Sequence, residues 1–163
     1  MRWLAIMLFA WNVHAEVVAF DTDHWARKAT REMVDVNNTP SVRVEGACSP
    51  KWLNHHLGEN SFILSDCEGY EGELFLEATT PALNSATMLI EVHDQVVAGV
   101  GAAICERFRH THAVQSVRSR SLHQSDIDLS FLSTAEAAAA IQEIRGPQEW
   151  LLITPTNGNR SCA

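Results

Sequence analysis

Hydrophobic and polar positions change period repeatedly along this chain, and each change predicts a new strand or helix. Short apolar or alternating runs are typical of strands, whereas apolar positions three and four residues apart are typical of helices. The strand-like segments are 17–20, 42–46, 61–66, 86–92, 113–119 and 149–155. The helix-like segments are 23–38, 50–57, 70–79, 100–108 and 132–146. The pattern therefore predicts strands and helices in near-regular alternation.

The last helix-like segment carries the strongest start and stop signals. Ser133 or Thr134 can cap its N-terminus, and Glu136 lies close to the capping-box position. Gly146 followed by Pro147 stops the helix, because glycine favours the left-handed cap and proline cannot continue the hydrogen bonding. We therefore expect this helix to be the best defined in the chain.

Strands that alternate with helices favour a mostly parallel sheet, because parallel strands need a crossover connection. The predicted fold class is therefore α/β, a Rossmann-like three-layer α/β/α sandwich. The last two strands are joined across a helix, and they favour an antiparallel edge strand on an otherwise parallel sheet. The chain has 163 residues, enough for a buried core, and we expect 1–163 to form a single domain.

The charge balance and the cysteines exclude several classes of function. Twenty acidic against twelve basic side chains give a net charge of −8, and lysine occurs only at Lys28 and Lys51. Without a basic cluster to bind phosphates, no nucleic-acid partner is expected. The four cysteines are widely spaced and form no C-x-x-C pair, so neither a zinc site nor a thioredoxin-like motif is expected. Free thiols in a cytoplasmic protein are the favoured interpretation.

The N-terminal segment 1–15, MRWLAIMLFAWNVHA, has two interpretations. One positive charge, an apolar centre and a small-residue end are typical of a secretory signal peptide, and the segment is too short to span a membrane. Alternatively it is a core helix that leads directly into the strand at 16–20. The helix is favoured, and no membrane partner is expected.

Acidic side chains follow two of the predicted strands. The apolar strand in 62–71, FILSDCEGYE, is expected to be buried and ends at Asp66, with Glu68 and Glu71 around Gly69. The strand 86–92 ends in the same way, and its acidic end comprises Glu91, His93 and Asp94. Open α/β sheets bind ligands at the carboxyl ends of their strands. These two strand ends therefore predict a functional site.

The order of these segments resembles a known family. VVAFD, VRVEGAC, FILSDCEGYE, MLIEVHD and a terminal EWLLITP are similar to the class I S-adenosylmethionine-dependent methyltransferases over 4–155. The FkbM-like branch matches best, through its D-x-E-G-x-E sequence at 66–71. The resemblance implies S-adenosyl-L-methionine as cofactor and methyl transfer to a small-molecule or saccharide acceptor.

The resemblance also implies roles for individual residues, which fall into three groups. The cofactor-binding residues are Asp21, Ala47, Cys48 and Asp66. The catalytic residues are Asp66, Glu68 and His93. The residues on the acceptor side are Glu71, Glu91 and Asp94.

Several of these residues have an alternative, structural interpretation. Asp21 or Asp23 can cap the following helix, and Glu91, inside its strand, can be a hydrogen-bonded structural acid. A base for the acceptor can be a carboxylate or His93, because an imidazole titrates near neutral pH. Divalent ions bind oxygen and imidazole ligands, which are available at Asp66, Glu91, His93 and Asp94. The spacing does not require a metal, and a purely organic site is expected. His110 and His112 are expected at the surface.

The sequence departs from the family at its start. The family begins with a strand and a glycine-rich turn, whose amides and helix N-terminus receive the methionine part of the cofactor. Here the helix-like segment before 17–20 follows no such turn, so the domain is expected to be truncated at its N-terminus. Two alternatives follow: a non-catalytic remnant of the fold, or a secreted α/β binding domain with 1–15 as signal peptide and paired cysteines.

Overall fold

A computed structural model of the chain describes residues 15–58, 60–76, 81–120, 128–141 and 148–156. The strands in these residues are β1 (Val17–Phe20), β2 (Val42–Glu45), β3 (Phe62–Ser65), β4 (Thr87–Val92), β5 (His112–Arg118) and β6 (Glu149–Pro155). The α-helices are α1 (His24–Val36), α2 (Pro50–His56), α3 (Glu71–Phe75), α4 (Val100–Phe108) and α5 (Thr134–Ile141), with a 3₁₀ helix at Pro81–Ser85. The chain has an α/β fold, as predicted.

The chain divides into two compact units, Met1–Trp52 and Leu53–Ala163. In the first unit β1 and β2 pair in parallel, from Val17 opposite Val42 to Phe20 opposite Glu45. Helix α1 connects them and begins at Asp23, whose side chain accepts a hydrogen bond from the amide of Ala26 at 2.8 Å. That bond satisfies one of the free donors of the first turn. The predicted strand–helix–strand pattern is therefore confirmed here.

Helix α1 differs from the usual amphipathic helix in what it exposes. Trp25 is 70% exposed and Val36 is 82% exposed, although both occupy the apolar positions that predict the helix. The buried residue of α1 is Thr30, whose hydroxyl donates to the carbonyl of Ala26. Helical spacing therefore gives the correct secondary structure but does not identify the buried face.

The second unit contains a four-stranded sheet in the order β3-β4-β6-β5. Strands β3 and β4 are parallel, whereas β6 is antiparallel to both β4 and β5. The sequence predicts an antiparallel strand correctly but places it at the edge, which is wrong. Strand β6 lies inside the sheet because Leu151 and Ile153 are almost fully buried, whereas most of β5 is exposed and forms the edge.

The core of the second unit is centred on β4. Met88, Ile90 and Val92 alternate along one face of the strand and are 5% exposed or less. Two buried residues of α4, Ile104 and Phe108, belong to the same core. Strand β3 is less buried than predicted, with Phe62 41% and Leu64 39% exposed.

The prediction of surface histidines is wrong for His112. Its side chain is only 3% exposed, and its Nε2 lies 3.2 Å from the carbonyl oxygen of Ala86. The hydroxyl of Thr111 lies 2.8 Å from Nδ1, so both ring nitrogens have partners. A buried histidine with both nitrogens hydrogen-bonded is a core residue, and burial lowers its pKa.

The predicted capping box of α5 is confirmed. The amide of Glu136 donates to the Ser133 hydroxyl at 3.4 Å, and the amide of Ser133 donates to the Glu136 carboxylate at 2.9 Å. The interpretations of 1–14 as helix or signal peptide, the predicted helix ends at 77–79 and 142–146, and Cys162 lie outside the described residues. Among the described helices, none is long and apolar enough to cross a membrane.

Candidate functional site

The acidic ends of β3 and β4 lie beside each other in the second unit. The two strands are parallel, with Ser65 opposite Ile90, so the next residues, Asp66 and Glu91, continue side by side. Side chains alternate between the two faces of a strand, which places Glu91 and His93 on the same face. Parallel pairing therefore brings together the groups that the sequence singles out on each strand.

Glu71 contacts the Nδ1 side of the His93 ring. Oε1 of Glu71 lies 2.5 Å from Nδ1 of His93, and the exposed fractions of the two side chains are 0% and 5%. The amide of Gly69 donates to the same oxygen at 3.2 Å. Glu71 is the first residue of α3, so this bond joins the start of α3 to the end of β4. The sequence places Glu71 on the acceptor side, whereas the structure buries it behind the imidazole.

The other ring nitrogen of His93 faces two carboxylates. Nε2 lies 3.4 Å from Oε2 of Glu68 and 3.7 Å from Oδ1 of Asp66. The Glu68 side chain is 62% exposed and that of Asp66 is 20% exposed. Glu68 is therefore the most accessible member of the cluster, and His93 lies behind it. We call Asp66, Glu68, Glu71, Glu91 and His93 the carboxylate–histidine cluster.

The backbone between Asp66 and Glu71 explains the glycine in D-x-E-G-x-E. Glu68 has a φ of 55° and Gly69 a φ of 106°, so two consecutive residues adopt left-handed conformations. A side chain at residue 69 would place its Cβ only 2.6 Å from Cγ1 of Val96. Glycine is the residue that accepts both the conformation and the close approach. The turn then directs Glu68 and Glu71 to opposite nitrogens of His93.

Glu91 completes the cluster from within β4. It is 3% exposed although it is ionisable, and its neighbour two residues along is His93. One donor atom from each of Asp66, Glu91 and His93 lies within 4.8 Å of the other two. Burial of a carboxylate next to an imidazole is costly unless other groups or a bound ligand stabilise the charge.

The side chain of Asp94 contacts the start of α4. The residue is exposed, and its Oδ1 accepts a hydrogen bond from the amide of Gly101 at 3.0 Å. Gly101 lies in the first turn of α4, where free amides need acceptors. The structure therefore shows a contact between Asp94 and the start of α4, and its acceptor-side role stays a prediction of the resemblance.

The three cofactor residues in the first unit follow β1 and β2. Asp21 comes directly after β1, and its Oδ1 accepts from the amide of Asp23 at 2.8 Å. Arg27 donates to the carbonyl oxygen of Asp21 at 2.8 Å and so fixes the turn. Asp23, rather than Asp21, caps α1, which settles the capping alternative. Ala47 and Cys48 follow β2; Ala47 is exposed and Cys48 is half-buried.

The cysteines near the predicted sites are protonated thiols. Cys48, Cys67 and Cys105 are free. Burial raises the pKa of Cys48 to about 11 and that of Cys67 to about 11. Since the thiolate is the nucleophilic form, neither thiol is suited to nucleophilic catalysis at neutral pH.

One contact beside the cluster has no signal in the sequence. The amides of Val96 and Val97 both donate to the carbonyl oxygen of His93, at 2.8 and 3.0 Å, which folds the segment after β4 back on itself. This fold brings Val96 against Gly69, while Val96 and Val97 remain 59% and 40% exposed. The two valines could have been noticed only as apolar residues in an otherwise loop-like segment.

No protein-family model matches the chain, and no curated protein matches it. Within the carboxylate–histidine cluster, His93 and Glu71 are buried and Glu68 is exposed.

Proposed function

We propose that this chain is an S-adenosylmethionine-dependent methyltransferase domain that methylates a hydroxyl of a small-molecule or saccharide acceptor. One observation carries the proposal. The D-x-E-G-x-E and E-x-H segments come from distant parts of the sequence, and they meet at the carboxyl ends of two neighbouring parallel strands. In open α/β sheets, that edge is where ligands bind.

Methyl transfer to a hydroxyl requires an oriented acceptor and a group that takes its proton. When bound, S-adenosylmethionine supplies a methyl group whose bond to sulfur breaks as the bond to the acceptor oxygen forms, leaving the electron pair on sulfur. The chain's own residues have to place the acceptor oxygen and accept the hydroxyl proton.

Glu68 and His93 are suited to accept that proton. The Glu68 carboxylate is exposed, so an acceptor hydroxyl can hydrogen-bond to it from solvent. Nε2 of His93 lies 3.4 Å from Oε2 of Glu68, so the imidazole is placed to pass the proton onward. Glu71 holds the opposite nitrogen and stabilises the positive charge that results.

The cofactor is assigned to residues at other strand ends. Asp21 follows β1, and its turn is fixed by Arg27 and by the amide of Asp23, so its carboxylate is held in one place. A carboxylate in this position can accept hydrogen bonds from two ribose hydroxyls. The proposal also assigns Ala47 and Cys48, which follow β2, to the adenine.

The fold supports the proposal at a coarser level. The alternation of strands and helices predicts a mostly parallel sheet with an antiparallel strand, and β6 is antiparallel to both β4 and β5. A Rossmann-like three-layer α/β/α fold belongs to the proposal. We also propose that the protein is cytoplasmic and that it binds neither nucleic acid nor a membrane.

Calorimetric titration with S-adenosylmethionine tests the proposal. The wild-type chain is expected to bind the cofactor, and Asp21→Asn is expected to bind it at least about tenfold more weakly, since a charged hydrogen-bond acceptor is lost. Asp35→Asn, a substitution of an exposed aspartate in α1, serves as the matched control and should bind like wild type. A folded wild-type chain that gives no binding heat would favour the non-catalytic remnant.

A further inference from the structure

Three side chains of the carboxylate–histidine cluster converge on one small volume. Asp66, at the end of β3, and Glu91 and His93, in and just after β4, each offer a donor atom within 4.8 Å of the others. Two carboxylates and one imidazole form a mixed oxygen and nitrogen set that suits several divalent ions, Mn²⁺ and Zn²⁺ among them. The distances are close enough for one ion to contact all three with small side-chain movements.

The charge of the cluster also favours a cation. Glu71 and Glu91 are buried and Asp66 is partly exposed, while His93 contributes at most one positive charge. Oε2 of Glu71 is fully buried and accepts no hydrogen bond from the described residues. Buried carboxylates are costly unless a positive charge or hydrogen bonds compensate them. A divalent ion would add positive charge to this group of carboxylates.

The orientation of His93 is the one that metal-binding histidines adopt. A ligating histidine donates its second ring N–H to a carboxylate or carbonyl, which fixes the tautomer and leaves the other nitrogen free to bind. Glu71 occupies that position at Nδ1, 2.5 Å away. Nε2 then presents its lone pair towards Asp66, 3.7 Å away, and an ion between them would replace repulsion with attraction.

We propose that Asp66, Glu91 and Nε2 of His93 bind one divalent metal ion, with Glu71 as the positioning residue for His93. This site differs from the purely organic site that the sequence favours. It does not depend on the methyl-transfer proposal. With the ion on Nε2, the exposed Glu68 remains the group that can take a proton from an acceptor.

Manganese is the probe for this site because it is paramagnetic and accepts both oxygen and imidazole ligands. Metal-stripped wild-type chain is titrated with MnCl₂, and free Mn²⁺ is measured by electron paramagnetic resonance. We expect one bound Mn²⁺ per chain. Glu91→Gln and His93→Gln should each weaken binding at least about tenfold, and Glu71→Gln by about tenfold, the usual effect of losing a partner of a ligand.

Glu106→Gln is the control, because Glu106 is an exposed glutamate of α4 paired with Arg109. It should bind Mn²⁺ like wild type. Equal, weak binding in all variants, or no binding to wild type, would overturn the proposal. If the cluster variants fail to fold, pulsed electron paramagnetic resonance of Mn²⁺ bound to the wild-type chain replaces them. Coupling of the ion to an imidazole nitrogen would support the site. Bound Mn²⁺ without such coupling would overturn it.

The calorimetric titration with S-adenosylmethionine separates the two proposals. Cofactor binding without Mn²⁺ binding would overturn the metal-site proposal but not the methyltransferase proposal. Mn²⁺ binding without cofactor binding would overturn the methyltransferase proposal but not the metal-site proposal. The two titrations therefore distinguish failure of the metal site from failure of cofactor binding.

Discussion

Oε1 of Glu71 lies 2.5 Å from Nδ1 of His93, and both side chains are buried. The contact links two residues that are 22 positions apart in sequence, one at the start of α3 and one just after β4. It also determines which nitrogen of His93 faces Glu68 and Asp66. The geometry of the whole cluster therefore depends on this pair.

The Glu71–His93 contact should appear as an energetic coupling. In a double-mutant cycle with Glu71→Ala and His93→Ala, we expect a coupling free energy of unfolding of about 1–3 kcal/mol, because the bond involves a charged group and is buried. Urea denaturation of the four proteins measures it. The pair Glu106→Ala and His93→Ala should be additive. Additivity of the Glu71 and His93 substitutions would contradict the contact.

Gly69→Ala should destabilise the chain for two reasons. The left-handed φ of 106° is strained for alanine, and its Cβ would lie 2.6 Å from Cγ1 of Val96. We expect a loss of about 1–3 kcal/mol in the free energy of unfolding. Val96→Ala should restore the steric part of the loss. Gly58→Ala, which meets no atom within 4 Å, is the control, and an equal effect at both glycines would argue against this account.

His112 should make stability depend on pH. Burial lowers the pKa of His112, so the unfolded chain binds a proton more readily than the folded chain below the ordinary histidine pKa of about 6.5. The free energy of unfolding should therefore fall as the pH is lowered from about 6.5 towards the depressed folded value. His112→Gln should reduce this slope, and the exposed His110→Gln should not. Chemical denaturation from pH 7 to pH 5 measures the slopes, and identical slopes would contradict the burial of His112.

Cys67 should react slowly with alkylating reagents in the folded chain. Burial raises its pKa from 9.0 to about 11, so its thiolate fraction at neutral pH is about a hundredfold lower than that of an ordinary thiol. Iodoacetamide labelling followed by peptide mass spectrometry measures the rate. Denaturation in urea should accelerate labelling strongly. Equally fast labelling of the folded and unfolded chain would show that Cys67 is not protected.

The secondary structure could be predicted because its signals are local. Periodicity and caps place β1, α4 and β6 at the observed bounds, and the Ser133–Glu136 capping box forms as predicted. Each of these signals depends on residues close in sequence, so the rest of the fold has little influence on them.

Burial could not be predicted to the same extent, because it depends on distant segments. Trp25 is apolar and exposed, whereas His112 is polar and buried, since α1 and β5 meet surroundings that their own sequences do not reveal. The position of β6 between β4 and β5 likewise depends on sheet pairing across long loops.

The candidate site could be predicted only in part: less completely than the secondary structure, but better than the burial of side chains. The sequence identifies its residues, since D-x-E-G-x-E and E-x-H stand at two predicted strand ends. It does not distinguish Glu68, which is exposed, from Glu71, which is buried against His93. The turn that separates the two carboxylates contains the left-handed conformations of Glu68 and Gly69, which the sequence signals only through the glycine.

Amide nuclear magnetic resonance can detect whether the chain binds S-adenosylmethionine at its strand ends, as we propose. On titration with the cofactor, saturable shifts are expected at Asp21 and Cys48, and unchanged signals in α5. A well-folded spectrum that does not respond to the cofactor, or that responds only away from these residues, would contradict the account.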